Sequence, residues 1–384
     1  MKKVLLLLIV VLAGAAAATA RDFTYTYEGQ TLTYTVLDEA AKTCSVGRNY
    51  STKGDLIIPE SASDGSNEYA VTIISERAFY NCTGLTSVTI PNSVTTIGGD
   101  AFYGCSGLTS VTIPESVTHI GGHAFYGCSG LTKAEFASIE ALCSIKFENW
   151  GSGLLYFARH LYINGEEITD LVIPESVTAI GNYTFNGCSY LTSITIGNSV
   201  TTLGVEAFKE CSSVTSVVMG ASVETISSSS AFDRCTPTTL TILTDRLESW
   251  SYLPRTNLQE VVIGDNVTII PESAFSGCSG LSALTIPESI TAIGNNAFKD
   301  CTGVTSLTIL TDKLESWSNL PKSSNLQEVT IGESVTSIGS SAFYGCSGLT
   351  SVTIPNSVTT IGNSAFTGCS GLTSVTIPNS VTSI

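Results

Sequence analysis

Along LTSVTIPESVTHIGG, residues 108–122, apolar and polar positions alternate in two short bursts. Leu108-x-x-Val111-x-Ile113 stops at Pro114, and Val117-x-x-Ile120 stops at Gly121-Gly122. A period of two predicts strands, with Val111 and Ile113 turned inward and Ser110 and Thr112 turned outward. Pro114 has no amide donor and ends the first strand. The second run faces the same core from the other side of a coil. Ala124-Phe125 then opens a tight helical turn, in which the small Ala allows close approach and Phe125 fills the space between coils. Cys128 and Leu131 close the unit.

The unit recurs. Ala-Phe pairs begin at residues 78, 101, 124, 207, 231, 274, 297, 342 and 365, with Thr184-Phe185 completing the set, and the uninterrupted spacing is 23 residues. Strand runs begin at 85, 108, 131, 168, 191, 214, 237, 258, 281, 304, 326, 349 and 372, with an incomplete one near Lys53. A fixed period of about 20–29 residues carrying Leu-x-x-Leu-x-Leu spacing marks a leucine-rich solenoid. No single coil buries its own apolar side chains; stacking does, at about 4.8 Å per strand. The expected fold is a right-handed leucine-rich-repeat horseshoe of fourteen rungs. A parallel β-sheet lines its concave face, and short strands, turns and short helices form the convex side.

Three departures from the period subdivide residues 53–384. Before them, residues 21–52 contain the Tyr-rich FTYTYEGQTLTYTV, a hairpin turning at Gly29 and expected to cover the open end of the first rung. Residues 133–167 stretch the rung spacing from 23 to 37. This insert predicts a short helix capped by Ser138 and a hairpin at Asn164-Gly165. LTDRLESWSYLP (243–254) and LTDKLESWSNLP (310–321) lack the Ala-Phe segment and predict a helix in its place, with Asp245 and Asp312 near its start. All three tryptophans, Trp150, Trp250 and Trp317, lie in these departures. The sequence closes on VTIPNSVTSI in mid-rung, which predicts that more chain follows.

Composition narrows the function. A net charge of −16 repels nucleic acid and anionic membrane. Residues 1–20 read as a signal peptide: Lys2 and Lys3, an apolar run from Val4 to Leu12, and the small-residue cleavage pattern Ala18-Thr19-Ala20. No later stretch is long and apolar enough to predict membrane insertion of the mature chain. Of the twelve cysteines, ten occupy one place in the repeat and predict a ladder of buried, free thiols. Cys44 and Cys143 stand outside it.

The residues point away from catalysis. No nucleophile elbow, phosphate loop, dinucleotide fingerprint or calcium loop occurs. His119 and His123 flank a turn and read as surface variation rather than metal ligands, and His160 stands alone. No catalytic residue, metal or cofactor is implied. Two hydroxyl columns, beginning Ser87-Ser110 and Thr89-Thr112, line the outward strand face and are interrupted by Lys133, Glu135, Asp170, Glu260 and Glu328. These charges are the candidate binding residues, because identical rungs present identical surfaces and discriminate poorly. Trp150, Trp250 and Trp317 are candidate sugar-stacking platforms. An ice-binding threonine array is a further possibility, disfavoured by curvature and by the charged interruptions.

IPNSVTTIGGDAFYGCSGLTSVTIP resembles the BspA-like leucine-rich repeats of bacterial surface proteins, over nearly all of residues 53–384. The resemblance implies a secreted or cell-surface, non-enzymatic adhesin or interaction scaffold. Its partners would be proteins, of the host extracellular matrix or of other microbes. A carbohydrate-binding module of a secreted enzyme system, with glycans as partners, is the second reading.

Overall fold

The computed structural model describes residues 21–384, so the leader-like segment 1–20 lies outside the described residues. The chain is a parallel-sheet solenoid of about 14 turns with few helices. Its main ladder runs through three sheets of six, five and four strands. Successive strands pair in parallel and in register: Val88 sits beside Val111, and Val111 beside Ala134. Their inward side chains are buried, and Ser110 and Thr112 point out. Alternation in the sequence becomes a two-faced ladder because the strand period is two.

A second ladder carries the Val-x-x-Ile runs as two-residue strands such as Thr96–Ile97, His119–Ile120 and Thr202–Leu203. The Tyr-rich hairpin, Asp22–Tyr27 with Gln30–Asp38, belongs to this second ladder, joined through Thr43–Val46 and Glu68–Ile74. Leu32, Tyr34 and Val36, on the hairpin's second strand, are buried.

Between the ladders run the Ala-Phe turns. Their backbone also bonds from coil to coil, with Phe79 N–H donating to Ala101 O and Phe102 N–H to Ala124 O, both at 2.8 Å. The phenylalanines stack at 5.3 Å (Phe79–Phe102) and 5.2 Å (Phe102–Phe125). Several turns, such as those at Ala101, Ala124 and Ala207, follow a glycine pressed against the preceding coil. A Cβ on Gly204 would lie 2.5 Å from Asn182 N and Gly181 C. Both are backbone atoms, which cannot move without breaking the stack. Gly204→Ala is therefore expected to lower the midpoint of thermal unfolding by several degrees, in line with overpacking costs of about 1–3 kcal/mol. An unchanged midpoint would contradict the close packing.

The insert differs from expectation in one respect. Ser138 does cap a helix, Ile139–Ser144, by accepting from Ala141 N–H at 3.0 Å. Asn164-Gly165 does turn a hairpin, with Leu161 opposite Ile168. Yet Leu161–Ile163 also pairs in parallel with Lys133–Phe136, and Lys146–Phe147 continues the second ladder beside His119–Ile120. Residues 133–163 thus form a complete coil of unusual length rather than a loop outside the stack. At the other end, the run at 372–377 forms no strand. The expected total of fourteen holds with one rung gained at 161 and one lost at 372.

The variant coils 243–254 and 310–321 contain no α-helix, against expectation. The first has a single 3-10 turn, Trp250–Tyr252; the second has turns and bends only. The burial spacing explains this. Leu247, Trp250 and Leu253 are buried, as are Leu314, Trp317 and Leu320, and a spacing of three suits a 3-10 or extended path rather than an α-turn. The second ladder breaks at both variants, while the main ladder passes through them unbroken.

Candidate interaction surface

The outward face of the main ladder is built by register. Lys133 lies beside Ser110, Asp170 beside Ser193, Thr239 beside Glu260, and Glu328 between Ser306 and Ser351. Lys133, Asp170, Glu260 and Glu328 thus occupy one column, and Glu135 stands in the next beside Thr112. They are not a cluster: Glu260 and Glu328 are three strands apart, about 14 Å at ladder spacing. Many threonine hydroxyls just before the strands are already satisfied. Thr109, Thr132, Thr215 and Thr238 each donate to the threonine carbonyl one coil back, at 3.1–3.3 Å.

The candidate charges separate into two kinds. Lys133 pairs with Glu135 at 2.9 Å and sits 4.8 Å from the centre of the Tyr162 ring. That ammonium is the main reason the Glu135 carboxyl is held below its ordinary range. Asp170 accepts from Thr192 Oγ1 and Ser193 Oγ, both at 2.8 Å, and these bonds lower its pKa. Asp55, which the sequence reading missed, makes the same clasp on Thr86 and Ser87. Each aspartate stands on the first strand of a ladder sheet and ties it to the next. Glu260 and Glu328 are exposed and make no side-chain hydrogen bond among the described residues. On the Asp170 and Glu260 strands, valines replace threonines in the second column: Val172 is 59% exposed and Val262 42%.

The tryptophans divide similarly. Trp250 and Trp317 are 2% and 5% exposed and pack edge-on against Phe275 and Phe343, at 5.6 and 6.3 Å. They fill the space that Phe fills elsewhere and offer no ring face to a sugar. Trp150 is 37% exposed. It sits in the short turn Trp150–Ser152, whose lead-in is pinned to the preceding coil. Glu148 accepts from Gly122 N–H at 2.7 Å and from His119 Nε2 at 3.1 Å, and Asn149 accepts from His123 N–H at 3.2 Å. The two histidines therefore serve in anchoring the insert. His160 is not alone: it bonds Glu167 and stacks on Tyr190 at 3.7 Å.

All twelve cysteines are free, and all but Cys143 are buried. The ladder is bonded as well as packed, since the Cys105 and Cys128 thiols donate to Phe79 O and Phe102 O at 3.1 and 3.2 Å. Among the described residues no group of three or more histidines, cysteines or carboxylates is placed to hold a metal ion, and no helix is long and apolar enough to cross a membrane.

The profile described as "BspA type Leucine rich repeat region" matches residues 66–158, 156–252, 251–319 and 317–384. Among solved structures, a leucine-rich repeat protein from Bacteroides ovatus is 26% identical, with 93% of this chain and 84% of that one covered and a TM-score of 0.45. A leucine-rich cell surface protein from Faecalibacterium prausnitzii is 27% identical, with 91% and 93% covered and a TM-score of 0.44. No curated protein matches the chain. With the profile covering all but the first coils, and with the same Ala-Phe and Cys columns repeated through the stack, the chain belongs to the BspA-type leucine-rich repeat family.

Proposed function

We propose that this protein is a non-enzymatic adhesin or protein-interaction scaffold, exported through residues 1–20 and acting outside the cell or on its surface. The outward ladder face carries this reading, above all the stretch where unpaired Glu260 lies on one strand with exposed Val262. Acidic and apolar side chains side by side on a long surface suit a protein partner that offers basic and apolar groups. Lys133, Glu135 and Asp170 take a lesser part, because each already has an internal partner. The partners proposed are host extracellular-matrix proteins or surface proteins of other microbes.

The test is binding of the full chain to immobilised matrix proteins and to whole microbial cells, with and without Glu260→Lys combined with Glu328→Lys. Charge reversal on this face is expected to weaken binding at least tenfold at low salt, mostly through slower association. Equal binding by both forms would remove the ladder face from the proposal. A second reading, glycan binding, is favoured by the exposure of Trp150 beside a groove.

A further inference from the structure

Two adjoining hollows, of about 380 and 210 Å³, lie between the insert and the Ala-Phe turns of the next coils. Tyr156, Glu210 and Arg234 line both, which makes them one groove. Its aromatic wall is Trp150 and Tyr156, packed edge to face at 5.3 Å. The wall is rigidly placed. Tyr156 lies in the helical turn Leu155–Ala158, which rests directly on Gly187, where an added Cβ would stand 2.3 Å from Tyr156 Cα. No residue but glycine leaves room for this contact, and its φ of +89° is also one that glycine tolerates.

The opposite wall is polar and internally balanced. Arg234 bonds Glu210 at 2.6 Å, Lys209 bonds Glu206 at 3.1 Å, and Asn186 Nδ2 donates to Glu206 at 3.1 Å. With Asp233 and Arg159, three anions face three cations around the groove. One acceptor is left over: Asn186 is 1% exposed, lines the groove, and its Oδ1 has no hydrogen-bond donor among the described residues.

We infer that this groove is a binding site for a neutral hexopyranose unit of a glycan, seated against the Trp150 indole. A balanced set of charges gives no net attraction to an ionic ligand, and most of the wall is too polar for an apolar one. A sugar ring has an apolar face for the indole and a rim of hydroxyls. Those hydroxyls both donate and accept, so they can match carboxylates, a guanidinium and the orphan amide oxygen at once. The volume is within the range of small-molecule clefts. The site is distinct from the outward ladder face and draws on residues from 150 to 234 that no repeat motif brings together.

The experiment titrates the full chain with the methyl glycosides of glucose, galactose, mannose and N-acetylglucosamine, following tryptophan emission and its quenching by acrylamide. Trp250 and Trp317 are buried, so a change in quenching reports Trp150. At least one neutral glycoside is expected to protect Trp150 with a dissociation constant on the order of 1 mM. Trp150→Ala and Arg234→Ala, followed by calorimetry, are each expected to weaken binding about tenfold or more. Arg234 is 69% exposed, so its variant keeps the test open if Trp150→Ala fails to fold. Protection by none of the four up to about 100 mM, protection by sialyllactose only, or equal affinity in the variants would overturn the inference. Binding of matrix proteins in the presence of saturating glycoside separates the two proposals: unchanged adhesion leaves the ladder face as the protein site.

Discussion

Phe102→Ala is expected to destabilise the solenoid by about 3–5 kcal/mol, the cost of emptying a fully buried aromatic site. Phe102 is 0% exposed, and its ring is stacked on Phe79 and Phe125 on both sides. Coils above and below cannot close the gap, because their spacing is held by two strand ladders and by the coil-to-coil bonds of the turns. In a repeat array each coil touches only its neighbours, so the damage should stay local. Hydrogen exchange is expected to quicken in coils 79–125 while the stack beyond residue 180 keeps its protection. Tyr344→Ala provides the contrast. Tyr344 is 55% exposed and its loss should fall within about 0.5 kcal/mol of zero. Uniform loosening of the whole chain by Phe102→Ala would contradict the one-dimensional picture.

The second large effect is alkaline unfolding. Burial pushes the thiols of Cys44, Cys105, Cys235 and Cys301 up to about 12, and that of Cys346 to about 11. An unfolded chain gives up the same protons near the ordinary thiol value of about 9. A raised folded value means that stability is intact below about 9 and falls as pH climbs toward the folded value. Each thiol removes up to about 1.4 kcal/mol per pH unit in that window. Summed over the ladder, the loss approaches the about 5–15 kcal/mol that stabilises an ordinary domain within one or two pH units. Circular dichroism against pH should therefore show cooperative unfolding between about 9 and 11. Replacing Cys188, Cys211 and Cys235 with Ala should move that transition to higher pH. A transition that ignores the replacement would show that other groups govern it. At pH 8 a disulfide-exchange reagent should modify few thiols in the folded protein and all twelve after denaturation.

Much of this fold could be read from the chain because its determinants are local and repeated. The strand period, the Pro stop, the Gly turn and the Ala-Phe-x-x-Cys spacing each act within one coil. A ladder then copies each position onto the same position of the next coil, so register follows from the period. That is why the Ser and Thr columns, the thiol ladder, the Ser138 cap and the Asn164-Gly165 hairpin were legible. The sequence placed Leu161–Ile163 in a hairpin but not in the ladder, because that strand lacks the Leu-x-x-Val-x-Ile signature. It enters the ladder by pairing with Lys133–Phe136.

The candidate site was less legible, for a different physical reason. Whether an aromatic ring faces the core or the solvent depends on the volume its neighbours leave, and LESW gives no sign of that. Trp250 and Trp317 turned inward to fill the Phe column; Trp150, displaced by the long coil, stayed half outside. The charges of the ladder face were visible as residues, but their bonding was not. Only the structure separates Glu135 and Asp170, tied to neighbours 2.8–2.9 Å away, from Glu260 and Glu328. The groove beside Trp150 had no signal in any single motif. The sequence by itself determined the coil and its repetition, because those rest on near-neighbour sterics and periodic burial. The tertiary structure decided which side chains were left for a ligand, because that depends on packing between residues far apart in the chain.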